Sequence, residues 1–128
     1  MRILRAENFR RMPWRNGGGV TVEIAASPEG AALDAFDWRI SMAHVASDGP
    51  FSLFPGVDRT LALLSGAGMI LDVAGRGEIR LDRDAPPCSF PGDAATSARL
   101  IAGPIDDLNV MTRRGRFRHR LTRRMAEG

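Results

Sequence analysis

The strongest constraint on this chain is an alternation of apolar and polar residues with a period of two, interrupted every few residues by glycine and proline. Val20, Val22 and Ile24 share one parity, and Thr21 and Glu23 the other. Trp38, Ile40 and Met42 likewise oppose Arg39, Ser41 and Ala43. Successive side chains of a strand leave on opposite faces, so this period is strand geometry. Thr60–Leu64 is nearly all apolar, the pattern of a strand covered on both faces. Met69–Val73, Ile79–Leu81, Ala98–Ile101 and Leu108–Thr112 continue the series. Turn signals lie between them, among them Asp48–Gly49–Pro50, Gly75–Arg76–Gly77 and Pro91–Gly92–Asp93. No segment carries a helical stripe of helix length; Ala31–Ala35 has room for one turn. Many short strands at short intervals predict an all-β sandwich or barrel. No linker or change of composition divides the chain, so residues 1–128 are expected to form one unit.

The bulk properties fit a globular protein. The chain has 128 residues, 44% of them hydrophobic and 26% charged, enough apolar side chains for a core and too many for a disordered segment. No apolar run approaches the ~18–20 residues of a membrane span, and Met1–Arg11 lacks the apolar centre of a signal peptide. A cytoplasmic location with no membrane partner is therefore expected. The single cysteine, Cys88, excludes an internal disulfide and has no matched histidine and carboxylate to activate it.

All 18 basic residues are arginine, which holds the pI near 10.8 although the net charge is only +3. Seven of them fall in RRGRFRHRLTRR, residues 113–124. Phe117, His119 and Leu121 alternate there with Arg118 and Arg120, which predicts a solvated strand followed by a frayed basic tail. Aromatic interleaving for base stacking is lacking, so nucleic acid is not expected as a partner.

Three glycines, Gly17–Gly19, stand in MPWRNGGGVTVEI, residues 12–24. A Walker loop needs a Lys–Ser/Thr pair and a helix behind it, and a dinucleotide loop opens a helix. This run enters a strand instead, so phosphate cradling does not fit. Two readings remain: a turn needing positive φ, with Asn16 tolerant of the left-handed region, or a backbone brought close to a ligand or another strand.

The motifs MPWRNGGGVTVEI, FDWRISMAHVASDGPFSLFPGVDRTLALLSGAG, FPGD and GPIDDLNVMTRRG cover most of residues 12–117. In them the chain closely resembles the HutD/Ves family of cupin-like proteins. The resemblance implies a jelly-roll bicupin, two small barrels in one chain, and a role in bacterial histidine utilisation, sensing or limiting the pathway through a small ligand. Family members usually continue well past MTRRG. The resemblance thus predicts a cupin-like barrel with the second barrel incomplete, and unpaired strand edges that favour a homodimer.

Metal-binding cupins carry a His-x-His, Glu and Gly motif at fixed spacing. In SLFPGVDRTLALLSG, Ser52 and Phe54 occupy the histidine places, Arg59 the glutamate place and Gly66 the closing glycine; Ala95 falls where a further histidine is expected. A hydroxyl, a phenyl ring and a guanidinium do not suit a divalent cation, so neither metal nor another cofactor is expected. A guanidinium in place of a carboxylate inverts the sign of the site and favours small acids that take two parallel N–H bonds. Strand parity adds Arg39, Ser41 and Glu23 to Arg59, the resemblance adds Asn109, and Asn16 is included beside the glycine run. The ligand-binding set is therefore Asn16, Glu23, Arg39, Ser41, Ser52, Arg59 and Asn109. The competing reading pairs Arg59 with Asp58, Glu23 or Asp107 in a purely structural salt bridge. The expected function is metal-free binding of a small carboxylate metabolite, of the urocanate or formyl- or formiminoglutamate type given the resemblance. The alternative is a metal-independent isomerase or lyase with Glu23 as base.

Overall fold

A computed structural model gives the structure of the protein and describes residues 10–15 and 17–122. Its strands are β1 (Arg10–Pro13), β2 (Gly19–Ser27), β3 (Trp38–Val45), β4 (Gly49–Pro50), β5 (Val57–Ser65), β6 (Met69–Val73), β7 (Gly77–Leu81), β8 (Cys88–Pro91), β9 (Thr96–Leu100) and β10 (Ile105–Arg113). No helix forms among the described residues. A six-stranded sheet has the order β1-β2-β3-β10-β5-β8, and a four-stranded sheet the order β4-β9-β6-β7. Every pairing is antiparallel. The two sheets face each other as an all-β jelly-roll sandwich.

The inner face follows the parity of the sequence. From β3 it takes Arg39, Ser41, Ala43 and Val45, from β10 Ile105, Asp107, Asn109 and Met111, and from β5 Val57, Arg59, Leu61 and Leu63, all of them buried. Leu61, Leu63, Val45 and Ile105 pack against Met69, Leu71, Val73, Leu81 and Ala98 of the smaller sheet. A second apolar cluster of Phe36, Val57 and Met111 lies on the same side of the larger sheet, with Ala31 and Phe54 against it. The polar inner-face residues stand between these two cores. Segregating the apolar side chains in this way leaves a charged interior that the cores themselves do not solvate.

Three local expectations are corrected. The ladder between β2 and β3 shifts register between Glu23 and Ala25, a bulge that leaves Ile24 without an opposite residue and ends its shared parity with Val20 and Val22. Glu23 nevertheless faces Ser41, and past the bulge Ala26 faces Arg39. Residues 117–121 form no strand. The segment instead lays His119 on the outer face of the larger sheet, where its Nε2 and Nδ1 meet the hydroxyls of Thr60 at 2.7 Å and Thr112 at 2.8 Å. β5 is also covered less evenly than its apolar run predicts, because Leu64 is 49% exposed.

The glycines divide by role. Gly17 has φ +73° and open space where a Cβ would stand. Gly19 lies in β2, and a Cβ there would collide with the backbone oxygen of His44 and come within 3.0 Å of the Trp14 ring. The close approach of β2, β3 and Trp14 therefore needs Gly19, whereas Gly17 serves the turn. Gly19→Ala is expected to destabilise the protein by about 1–3 kcal/mol through overpacking and to perturb the tryptophan near-ultraviolet circular dichroism. Gly17→Ala is expected to cost about 1–2 kcal/mol with that spectrum intact. Urea denaturation measures both costs, and an unaltered spectrum for Gly19→Ala contradicts the assignment.

Candidate functional site

Between the polar rows and the loops lies a cavity of about 470 Å³. Its floor is the inner face of the larger sheet, through Arg39, Arg59, Asp107 and Asn109, and its walls include Trp14 and Phe51. Strand register builds the floor. Glu23 of β2, Ser41 of β3 and Asn109 of β10 are directly opposite one another in one row. In the next row Arg39 and Arg59 flank Met111. On the other side of the Asn109 row, Asp107 sits between Ala43 and Leu63.

The two arginines are held in different ways. Arg39 donates from Nε to Glu23 Oε1 at 2.9 Å, and Arg10 donates to the same oxygen at 3.0 Å, so the Arg39 charge is neutralised inside the protein. Arg59 is 6% exposed and has no carboxylate within ion-pair distance among the described residues. Its guanidinium carbon lies 5.5 Å from the Phe51 ring centre, 5.5 Å from Phe54 and 5.1 Å from Phe90. Ring faces attract a desolvated cation, but they leave its N–H groups free, and Nε has no hydrogen-bond partner. Burial brings the Arg59 pKa down to about 10, with Asp107 opposing the shift and Arg39 adding to it. The group stays charged at neutral pH.

Three more buried polar atoms have no partner among the described residues: Ser41 Oγ, Asp107 Oδ1 and Asn109 Oδ1. Buried polar atoms are otherwise nearly always bonded, and leaving one unmade costs about 1–3 kcal/mol. They concentrate unmet hydrogen-bonding capacity in adjacent rows around one guanidinium. Asp107 is 2% exposed, and burial raises its pKa to about 7, with Arg59 pulling it down and Asp106 pushing it up.

Of the residues singled out in the sequence, Glu23, Arg39, Ser41, Arg59 and Asn109 come together on the inner face of the larger sheet, and of these Arg39, Arg59 and Asn109 line the cavity while Glu23 and Ser41 are buried beside it. Ser52 is exposed in the loop before β5 and lines the cavity with Phe51 and Phe54. Asn16 lies outside the described residues. The purely structural pairing of Arg59 with Asp58, Glu23 or Asp107 is not found as an ion pair among the described residues: Asp58 bonds Arg114, Glu23 bonds Arg39 and Arg10, and Asp107 acts on Arg59 only through longer-range attraction. Asp107 was absent from the expected set, although it shares strand parity with Asn109 and Met111 in DDLNVM and so points the same way. Trp14 forms part of the cavity wall and donates to Thr21 Oγ1 at 2.7 Å.

The remaining candidates are tied elsewhere. His44 is on the outer face and bonds Asp106 at 2.9 Å. Burial pushes the Cys88 thiol up, away from a nucleophilic thiolate. Arg113 donates to the Phe36 carbonyl, Arg114 to Asp58 and Asp93, and Arg116 to Asp37, so these members of the basic run make internal bonds. No group of three or more His, Cys, Asp or Glu side chains placed to hold a metal ion occurs among the described residues.

Comparison with known proteins adds the following. The family model described as HutD matches residues 6–128. A Pseudomonas putida protein, described as an uncharacterized 21.2 kDa protein in the hutC 3' region, is 41% identical over 94% of this chain and 63% of its own length. The structure of HutD from Pseudomonas fluorescens SBW25 superposes with a TM-score of 0.76 at 43% identity, covering 85% of this chain and 58% of that one. The chain thus spans about three fifths of the length of these relatives. A sugar phosphate isomerase of the cupin superfamily from Silicibacter pomeroyi has a TM-score of 0.60 over 88% of this chain and 76% of its own, at 16% identity, which shows a shared cupin fold.

The Asp107 environment has a consequence for stability. A carboxyl whose pKa is about 7 folded and about 3.9 unfolded binds more protons in the native state between those values. Its contribution therefore falls as pH rises from about 4 through about 7, by at most about 1.4 kcal/mol per pH unit. Asp107→Asn, which cannot ionise, is expected to melt progressively higher relative to the parent as pH goes from 5 to 8. A difference in melting temperature that stays constant with pH contradicts the raised pKa.

Proposed function

The chain belongs to the HutD family, and from that premise we propose that it is a metal-free binding protein for a small carboxylate, sensing or limiting histidine utilisation. The observation that carries the reading is the charged, buried Arg59, caged by three rings, with no carboxylate in ion-pair contact among the described residues and Asp107 acting on it only at longer range. A ligand carboxylate supplies a counter-charge in direct contact and accepts N–H bonds from the guanidinium, bonds that are stronger for being charge-assisted. Asn109, in the adjoining row, lines the cavity and offers its amide, whose Oδ1 has no partner, to a ligand donor such as a formamide N–H. Trp14 and Phe51 give the apolar part of the ligand a wall. The histidine setting rests on the relatives, one described by the hutC 3' region and the other named HutD.

Binding is preferred over catalysis with Glu23 as base. Glu23 Oε1 accepts from both Arg39 and Arg10, and Glu23 does not line the cavity, so its carboxylate is engaged within the sheet and not placed against a substrate proton. The protein is expected to melt several degrees higher in millimolar N-formylglutamate or urocanate, by mass action on the folded state. Arg59→Ala is expected to abolish the shift. Melting curves unmoved by a panel of small acids contradict the proposal.

A further inference from the structure

We propose that the cavity takes up its carboxylate together with one proton, and that Asp107 is the group that receives the proton. This rests on the carboxylate-binding reading above and adds a rule for how that site is regulated.

β10 turns the Asp107 side chain into the space between the two sheets. Asp107 is on the inner face, with Ala43 of β3 on one side and Leu63 of β5 on the other. It is 2% exposed, it lines the cavity, and its Oδ1 has no partner. Apolar neighbours and an unmade bond both penalise the charged carboxylate.

The charges that face it can be named element by element. β5 supplies Arg59, and β3 supplies Arg39, whose charge is matched by Glu23 of β2. The turn between β1 and β2 brings Arg15 to the cavity lining. β10 itself contributes Asp106, on the opposite face, and β8 contributes the buried thiol of Cys88. The smaller sheet presents Met69, Leu71, Val73, Leu81, Thr96 and Ala98, none of which titrates. The loop before β5 presents Phe51, Ser52 and Phe54. Arg59 is therefore the buried cation not already matched, and its attraction is what favours an ionised Asp107 in the unliganded protein.

An arriving carboxylate changes that balance. It takes the Arg59 N–H groups and its charge, and it sets a second negative group in the same low-dielectric space as Asp107. Two carboxylates in one buried site cannot both remain ionised cheaply, so one takes a proton. The ligand is held charged by the guanidinium, which leaves Asp107 to be protonated. The balance is simple: Arg59 cation, Asp107 anion, ligand anion and one proton from solvent give Arg59 cation, ligand anion and neutral Asp107. The acid form also provides an O–H donor that the carboxylate lacks. Binding then tightens as pH falls toward the acid side of neutrality and weakens above it.

The test is isothermal titration of the full chain with N-formylglutamate between pH 5.5 and 8, in buffers of different ionisation enthalpy. The expected result is an uptake approaching one proton per ligand at pH 8 and declining toward zero at pH 5.5. Affinity should fall by up to about tenfold per pH unit on the alkaline side. Asp107→Asn should bind without proton uptake and with affinity independent of pH. A carbon-13 NMR titration of the Asp107 carboxyl in the parent protein gives an answer that needs no variant: its midpoint should rise on saturation with ligand. Binding without proton uptake, uptake that persists in Asp107→Asn, or an unmoved midpoint overturns this inference and leaves carboxylate binding standing. If no binding occurs at any pH, both readings fall.

Discussion

The structure depends on one desolvated cation. Moving a guanidinium into a protein interior costs several kcal/mol even after relaxation, and an ion pair is the usual remedy. Arg59 has rings instead: Phe51, Phe54 and Phe90 surround its guanidinium carbon within 5.5 Å. Cation–π contacts of a desolvated group contribute about 2 kcal/mol or more each. They compensate the charge without using its hydrogen bonds. A cage of this kind keeps a cation inside the protein and leaves it available to an anion from outside. Arg39 shows the contrast, because its bond to Glu23 satisfies it within the sheet and fixes the row where Ser41 and Asn109 stand.

The sandwich turns that chemistry into a site through unequal sheets. The strands of the larger sheet reach nine residues in β2, β5 and β10, whereas those of the smaller sheet run from two to five. The aliphatic core takes Leu61, Leu63 and Val45 against the smaller sheet. Beyond it, the rows that carry Arg59, Asn109 and Ser41 face loops and the Trp14 ring. Gly19 allows that ring to sit against β2. The bulge at Ile24 ends the simple parity of β2 just past Glu23. Both features are local backbone devices whose effect appears at the cavity.

What the sequence disclosed follows from the same physics. Alternation in 38–43 placed Arg39 and Ser41 on one face, and alternation in 108–112 extends to Asn109, because parity is a local property of the chain. Parity alone does not say which side is covered, nor which charges find each other. Whether Arg59 would pair with Asp58, Glu23 or Asp107 depended on register between strands far apart in sequence. The structure gives Asp58 to Arg114 and Glu23 to Arg39. Asp107 was legible by parity, but the sequence offered it only as a structural partner for Arg59, because parity does not say whether two inward-facing charges come within bonding distance. The segment at 117–121 alternates like a strand and does not form one; His119 is held instead by two hydroxyls of the sheet. A short alternating run with no partner strand carries no ladder to fix it.

The most direct test of the account is a crystal structure of this chain grown with N-formylglutamate. The account predicts a carboxylate inside the cavity, with two parallel N–H bonds from the Arg59 guanidinium and its formyl end toward Asn109. A saturated crystal in which that guanidinium meets only protein atoms or solvent, or in which the acid binds elsewhere, contradicts it.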